Sequence, residues 1–201
     1  WKDIKPLPHY TRGQENKQGV RRFWNNDNHT QGRLSILGGQ SLDTLQDNRS
    51  DFLQWVNTSG KKAVRIDFAI DITRSSFHPR MVQRRLRRGE AVTHARSQLT
   101  LSDNFDGGFT QYVGKKSAET YTRIYDISVE EKVDFQWVRV ETVYQGDRAK
   151  PALSAYCQGA SCGQLINKHV NFPTWDDWQA ITSPHVAKLV YTARETRTRT
   201  W

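Results

Sequence analysis

Three separated segments, VRIDFAIDI (64–72), ETYTRIYDI (119–127) and FQWVRVETVY (135–144), alternate side chains with a period of two. That period fits a pleated strand with one buried and one wet face, and it does not fit a helix. In the first segment Ile66, Phe68 and Ile70 are expected to face a core, with Arg65, Asp67, Ala69 and Asp71 on the wet side. In the third, Val138, Val140, Thr142 and Tyr144 share one face, and Trp137, Arg139, Glu141 and Val143 share the other. The second sets Tyr121, Arg123 and Tyr125 on a single face, where packing would favour aliphatic side chains. A sheet with one apolar face needs a covering layer, so helices are expected on one side of it.

The rest of the chain supplies that layer. QGVRRFW (18–24) and GRLSIL (32–37) flank the turn formers NNDNHTQ and predict a hairpin. SLDTLQDNRSDFLQWVNTSG (41–60) carries Leu42, Leu45, Phe52, Leu53 and Val56 near helical spacing, with Ser41 as N-cap and Gly60 as stop. HPRMVQRRLRRGEAV (78–92) predicts a helix opened by Pro79 and ended at Gly89, with Met81, Val82 and Leu86 as its narrow buried stripe. ARSQLTL (95–101) and GGFTQYVG (107–114) bracket SDNFD as a second hairpin, and SVEEKVD (128–134) reads as a charged linker. Residues 146–201 take a helical texture, with TWDDWQAI (174–181) capped by Thr174. The expected class is α+β, a mainly antiparallel sheet with helices packed on one face. We expect one domain over 1–201, with 146–201 as its helical C-terminal part.

Lys and Arg number 30 against 21 Asp and Glu, for a formal net charge of +9. A polyanion is the simplest partner for such a surface, since neutralising phosphates releases counterions. Arg84, Arg85, Arg87 and Arg88 form the densest basic run and are either phosphate contacts or a solvated helix face. Cys157 and Cys162, with scattered histidines, do not make a zinc set, and read as reduced thiols or a small local disulfide. Lacking a long apolar run, the chain is expected to be soluble and cytoplasmic. It opens on Trp1 and closes in RETRTRTW, and so reads as a piece of a longer protein.

If the three alternating strands are neighbours, Asp67, Arg123, Tyr125, Arg139 and Glu141 converge on one side of the sheet. Asp67 and Asp71 stand about 13 Å apart along a straight strand, so one cation would not take both. Carboxylates that can hold a cation, arginines that can clamp phosphate oxygens and a phenol together suit phosphoryl transfer by nucleophilic attack. Plain cross-strand salt bridges are the competing reading, with Asp67 paired to Arg65 or Arg139. Tyr121 is either a core or a base-stacking aromatic. Trp55, Trp137, Trp175 and Trp178 are expected to pack.

RIDFAID, then Gly114 and Tyr121, Arg123, Ile124, Tyr125 and Asp126, then Glu130, then W-V-R-V-E with Trp137, Arg139 and Glu141, resemble the replication initiation factor family. That family includes rolling-circle initiators of small plasmids, phage initiators and some conjugative relaxases. The resemblance covers roughly residues 60–150. It implies a sheet platform like that of HUH endonucleases, with Tyr125 as nucleophile and Arg123 and Arg139 beside it. It further implies Mg²⁺ or Mn²⁺ on a subset of Asp67, Glu130 and Glu141, with Asp71 less central. The implied activity is nicking and rejoining of single-stranded or extruded origin DNA through a 5′-phosphotyrosine, to start rolling-circle replication or DNA transfer. Tyr121, Lys115, Lys116 and the Arg84–Arg88 run would contact DNA. A helicase and a second copy of the chain are further candidate partners. Family members usually carry Lys two residues after the nucleophile. Here Ile127 stands in that place, so Lys132, Lys115 or Lys116 substitutes, or the chain is a weakened relative that binds DNA. A basic RNA-binding or structural protein is the reading from a different class.

Overall fold

VRIDFAIDI, ETYTRIYDI and FQWVRVETVY are adjacent strands of one antiparallel sheet, which gives the face-sharing expected of them. The computed structural model describes residues 2–5, 12–15, 21–24, 34–36, 51, 54, 57, 58, 62–73, 75–102 and 108–183. The chain divides into two compact units, Trp1–Trp55 and Val56–Trp201.

The first unit holds a four-stranded antiparallel sheet of β1 (Lys2–Asp3), β2 (Arg12–Glu15), β3 (Arg21–Trp24) and β4 (Leu34–Ile36), in sequential order. β3 and β4 are the expected first hairpin. Of the helix expected over 41–60, Asp51, Gln54, Asn57 and Thr58 are helical. Its proposed cap Ser41, its apolar residues Leu42, Leu45, Phe52, Leu53 and Val56, Trp55 and its stop Gly60 lie outside the described residues, as do 25–31, 103–107 and 184–201.

The second unit runs β5 (Arg65–Thr73), α1 (Pro79–Arg87), β6 (Val92–Thr93), β7 (Gln98–Ser102), β8 (Phe109–Val113) and β9 (Thr120–Asp126). It continues through α2 (Ser128–Glu131), β10 (Trp137–Gln145), α3 (Ala149–Cys157), α4 (Cys162–His169), β11 (Val170–Asn171) and α5 (Asp176–Ile181). The main sheet has the order β5-β10-β9-β8-β7, and every described pairing in it is antiparallel. β6 and β11 form a two-stranded sheet that alternation did not reveal, because two residues are too short to show a period.

One face of the main sheet is apolar and carries the helices. Phe68, Ile70, Ile124, Val138 and Val140 are buried on it beside Tyr156, Leu165 and Ile166 of the helical layer. Phe68 and Tyr156 meet ring to ring at 5.4 Å, and Tyr144 Oη donates to the Leu165 carbonyl. α1 lies against β8 and β9, α3 against β5 and β10, and α4 against β5, β9 and β10. Polar groups within this layer are paired, as burial requires. The Thr122 hydroxyl meets His169 Nδ1 at 2.8 Å and the Thr142 hydroxyl at 2.7 Å. Gln83 Nε2 donates to Thr100, whose hydroxyl donates to the buried Gln111.

Local chemistry sets the helix ends. Pro79 opens α1 as expected, and His78 caps it by accepting from the Arg80 amide through Nδ1. Ser161 and Gln164 form a reciprocal capping box that starts α4. At Gly163 a Cβ would stand 2.0 Å from the Thr182 carbonyl oxygen, so only glycine lets these backbones approach so closely. Thr174 is not the cap of the last helix. Trp175 holds that position in extended backbone, its buried ring stacked on Phe77 at 5.3 Å. The linker 128–134 also differs from expectation, because Asp126 Oδ1 accepts from both the amide and the hydroxyl of Ser128 and so starts the single turn α2. Cys157 and Cys162 are not joined in a disulfide.

Candidate active site

The sheet face away from the helices carries two charged rows that run across the strands. In one, Asp71 of β5 pairs with Arg139 of β10, which pairs with Tyr125 of β9. In the next, Ala69 pairs with Glu141, and Glu141 with Arg123. The antiparallel register therefore gathers Asp71, Arg139, Tyr125, Glu141 and Arg123 from three strands into one patch.

Within the patch each arginine faces a carboxylate through two hydrogen bonds. Arg123 Nε and Nη2 donate to Glu141 Oε1 and Oε2, both at 3.0 Å. Arg139 Nε and Nη2 donate to Asp71 Oδ1 and Oδ2 at 2.5 and 2.7 Å. The Tyr125 hydroxyl donates to Glu141 Oε2 at 3.2 Å, and the Arg123 guanidinium lies over its ring at 4.9 Å. A guanidinium has five N–H donors, so each arginine keeps donors beyond those its carboxylate uses. The result is a phenol with a proton acceptor on its oxygen and two cations beside it.

Burial and the Glu141 carboxylate hold that phenol protonated. Burial, followed by the Glu141 charge, pushes the Tyr125 pKa up to about 12, with Arg123 and Arg139 acting in the opposite direction. At pH 7 only about one phenol in 10⁵ is then ionised. Attack through a phenolate formed beforehand would cost about 7 kcal/mol, whereas a base that takes the proton during attack avoids most of that cost. Glu141 is within hydrogen-bonding reach for that transfer.

Other expected site residues lie elsewhere. Asp67 stands one row away, opposite Val143, and gives both oxygens to Arg65. Glu130 belongs to α2, in the connection at the Tyr125 end of β9, and its side chain lies outside the described residues. Among the described residues no three His, Cys, Asp or Glu converge where a cation could sit. Asp67, Asp71 and Glu141 each face a guanidinium with both oxygens, so the carboxylates as arranged do not fit a divalent ion.

Tyr121 is buried and packs with Tyr112 and Val143, so its ring is part of a small cluster on this face. Lys115 and Lys116 are exposed in the β8–β9 turn, at the far end of β9 from Tyr125 and roughly 17 Å along the strand. Lys116 Nζ sits 4.8 Å from the Tyr112 ring centroid. Lys132 is exposed in the connection at the near end. Ile127 is buried in the core, so this chain packs a side chain where the family usually sets a cation. Arg84, Arg87 and Arg88 are exposed, but they belong to the helical layer on the other side of the sheet. Arg85 is partly buried, stacked 4.4 Å from the Trp175 ring centroid and paired with Glu90. The Asp71–Arg139 pair is the contact that sequence reasoning undervalued. Its signal was the shared wet face, yet only the register shows that the two residues are opposite.

Residues 61–200 match the replication initiation factor family, and the chain belongs to that family. It is similar to NicK of Bacillus subtilis (strain 168), a protein that carries the name of a DNA relaxase, at 25% identity over 182 residues. That match takes in 79% of this chain and 52% of the relative, so the chain spans about half the relative's length. Its fold is also that of the rolling circle replication initiator protein from Geobacillus stearothermophilus. The TM-score is 0.62 at 16% identity, covering 97% of this chain and 83% of that one. Among the described residues no helix is long and apolar enough to cross a membrane.

Proposed function

We propose that this chain is a DNA-nicking and strand-joining domain that starts rolling-circle replication or DNA transfer, with Tyr125 as its nucleophile. The observation that carries this reading is the hydrogen bond from Tyr125 to Glu141, set between two arginines on the sheet face away from the helices. Family membership supports it.

In the proposed step Tyr125 Oη attacks the phosphorus of a phosphodiester in single-stranded or extruded DNA while its proton passes to Glu141. The bond from phosphorus to the 3′ oxygen breaks, and that oxygen leaves and takes a proton from solvent. The product is a 5′-phosphotyrosine and a free 3′ hydroxyl. Arg123 and Arg139 keep donors for the non-bridging oxygens, where charge grows in the transition state. Because a phosphotyrosine keeps the energy of the broken bond, a 3′ hydroxyl can reverse the step and rejoin the strand. Asp71 holds Arg139 in place from behind.

Mg²⁺ or Mn²⁺ is the cofactor the family resemblance implies, and Asp67, Asp71 and Glu141, each held by a guanidinium, do not fit it as arranged. Exposed Arg84, Arg87 and Arg88 would meet DNA passing the helical side of the sheet. One observation favours a binding relative without chemistry, namely the buried Ile127 in the place of a cation. The test is incubation with labelled single-stranded DNA pools, in Mn²⁺ and in EDTA, followed by a denaturing gel. A covalent adduct that disappears in Tyr125→Phe supports the nicking reading. Tight DNA binding without any adduct supports the binding relative.

A further inference from the structure

We infer that Trp137, backed by Phe135, is a stacking shelf for a nucleobase next to the phosphodiester that Tyr125 attacks. This rests on the proposed nicking function and adds a binding element to the same site.

A strand held for attack needs its bases placed as well as its phosphates, and aromatic faces do this without regard to sequence. Tyr121 and Tyr112 do not offer such a face, because they are buried in one cluster with Val143. Among the described residues of this sheet face, Trp137 is the aromatic other than Tyr125 that keeps part of its surface exposed. Phe135 lies nearly parallel to it, 18° between planes and 6.3 Å between centroids. It is part-exposed as well.

The position fits. Trp137 is two residues from Arg139, which pairs directly with Tyr125, so the indole occupies the next row of the same face. Diagonal neighbours in adjacent strands are about 7–8 Å apart, a separation on the scale of one nucleotide's reach from phosphate to base. The arginines thus lie where the phosphate would be and the indole where a flanking base would be.

The indole N–H makes the structural alternative expensive. Trp137 Nε1 is sealed from solvent with no hydrogen-bond partner. Phenylalanine or leucine would pack here without leaving a donor unsatisfied. What tryptophan adds is a wide π face, and a stacking role uses that face.

The test uses Tyr125→Phe protein, so that binding is read without chemistry. Two probes of equal charge are compared by fluorescence anisotropy, a 12-nucleotide oligo-dT and a base-less deoxyribose-phosphate chain of the same length. The tighter binding of oligo-dT, expressed as a ratio, measures the contribution of the bases. Adding Trp137→Leu is expected to cut that ratio by about tenfold and to leave affinity for the base-less chain unchanged. Trp137→Phe, which keeps a π face, is expected to hold the ratio within about threefold. If the leucine variant does not fold, Phe135→Leu takes its place and is expected to cut the ratio by about threefold. A ratio untouched by Trp137→Leu, an equal loss on both probes, or no preference for oligo-dT in the parent would overturn the shelf. Failure of the nicking reading shows separately, as the absence of an adduct in the wild-type chain.

Discussion

Tyr125 and Glu141 lie diagonally across β9 and β10 and share a hydrogen bond of 3.2 Å, with the phenol as donor. Glu141 therefore has two opposed effects. Its charge helps raise the phenol pKa to about 12 and keeps the proposed nucleophile protonated, yet it is also the acceptor within hydrogen-bonding reach for the proton in the proposed attack. Arg123 grips the same carboxylate and fixes its orientation.

Glu141→Gln should separate those effects. At pH 7 adduct formation should fall by about 100-fold, because the proposed general base is gone. Binding of single-stranded DNA should be kept or tightened, because a negative charge has been removed beside Arg123. The residual rate should then rise about tenfold per pH unit, since the phenolate fraction does so well below the phenol pKa. Single-turnover adduct rates between pH 7 and 9 check this.

Two Arg–Asp pairs of identical chemistry should differ in stability. Arg139 and Asp71 have side chains 13% and 11% exposed, and Asp71→Asn should cost about 3 kcal/mol in urea unfolding because a mostly buried guanidinium loses its counter-charge. Arg65 and Asp67 are 49% and 34% exposed, and Asp67→Asn should cost less than about 1 kcal/mol. Equal losses would show that burial does not govern these pairs.

Stability should fall on acidification through His169. Burial lowers its pKa to about 4 in the folded chain, against about 6.5 when unfolded. The unfolded chain binds this proton first, so the contribution is complete above about pH 6.5 and is lost as pH falls toward 4. The loss amounts to about 3 kcal/mol. It should be missing from the pH profile of His169→Asn when that variant is compared with the parent by denaturant unfolding.

The helix arginines should behave differently from the sheet arginines. Replacing Arg84, Arg87 and Arg88 together with alanine should leave adduct formation on short oligonucleotides unchanged, since they lie across the sheet from Tyr125. Affinity for long single-stranded DNA should drop, and the slope of log K against log salt should fall by up to about 2.

Which face each side chain takes is legible in the sequence alone. Alternation alone assigns Ile70 and Val140 to the core and Arg123, Tyr125, Arg139 and Glu141 to the opposite face, because period two fixes facing whatever the neighbours are. Register is a different matter. Asp71 meets Arg139 across 68 positions of chain, and nothing local to either residue states which rung they share. Burial on the wet face was equally hidden, since Tyr121 and Tyr125 have the same pattern position and only packing against Tyr112 and Val143 separates them. α2 escaped notice because one turn is too short for periodicity, and the Asp126–Ser128 turn that starts it is legible only as geometry.

In the proposed mechanism Tyr125, and not Tyr121 on the same face, carries the DNA. Trypsin cleavage after Arg123 and Lys132 isolates Tyr125 in IYDISVEEK, and cleavage after Lys116 and Arg123 isolates Tyr121 in SAETYTR. Mass spectrometry of a nuclease-trimmed adduct should find the nucleotide phosphate on IYDISVEEK alone. A phosphate on SAETYTR, or on no tyrosine peptide while the adduct persists on the gel, would rule out Tyr125 as the nucleophile.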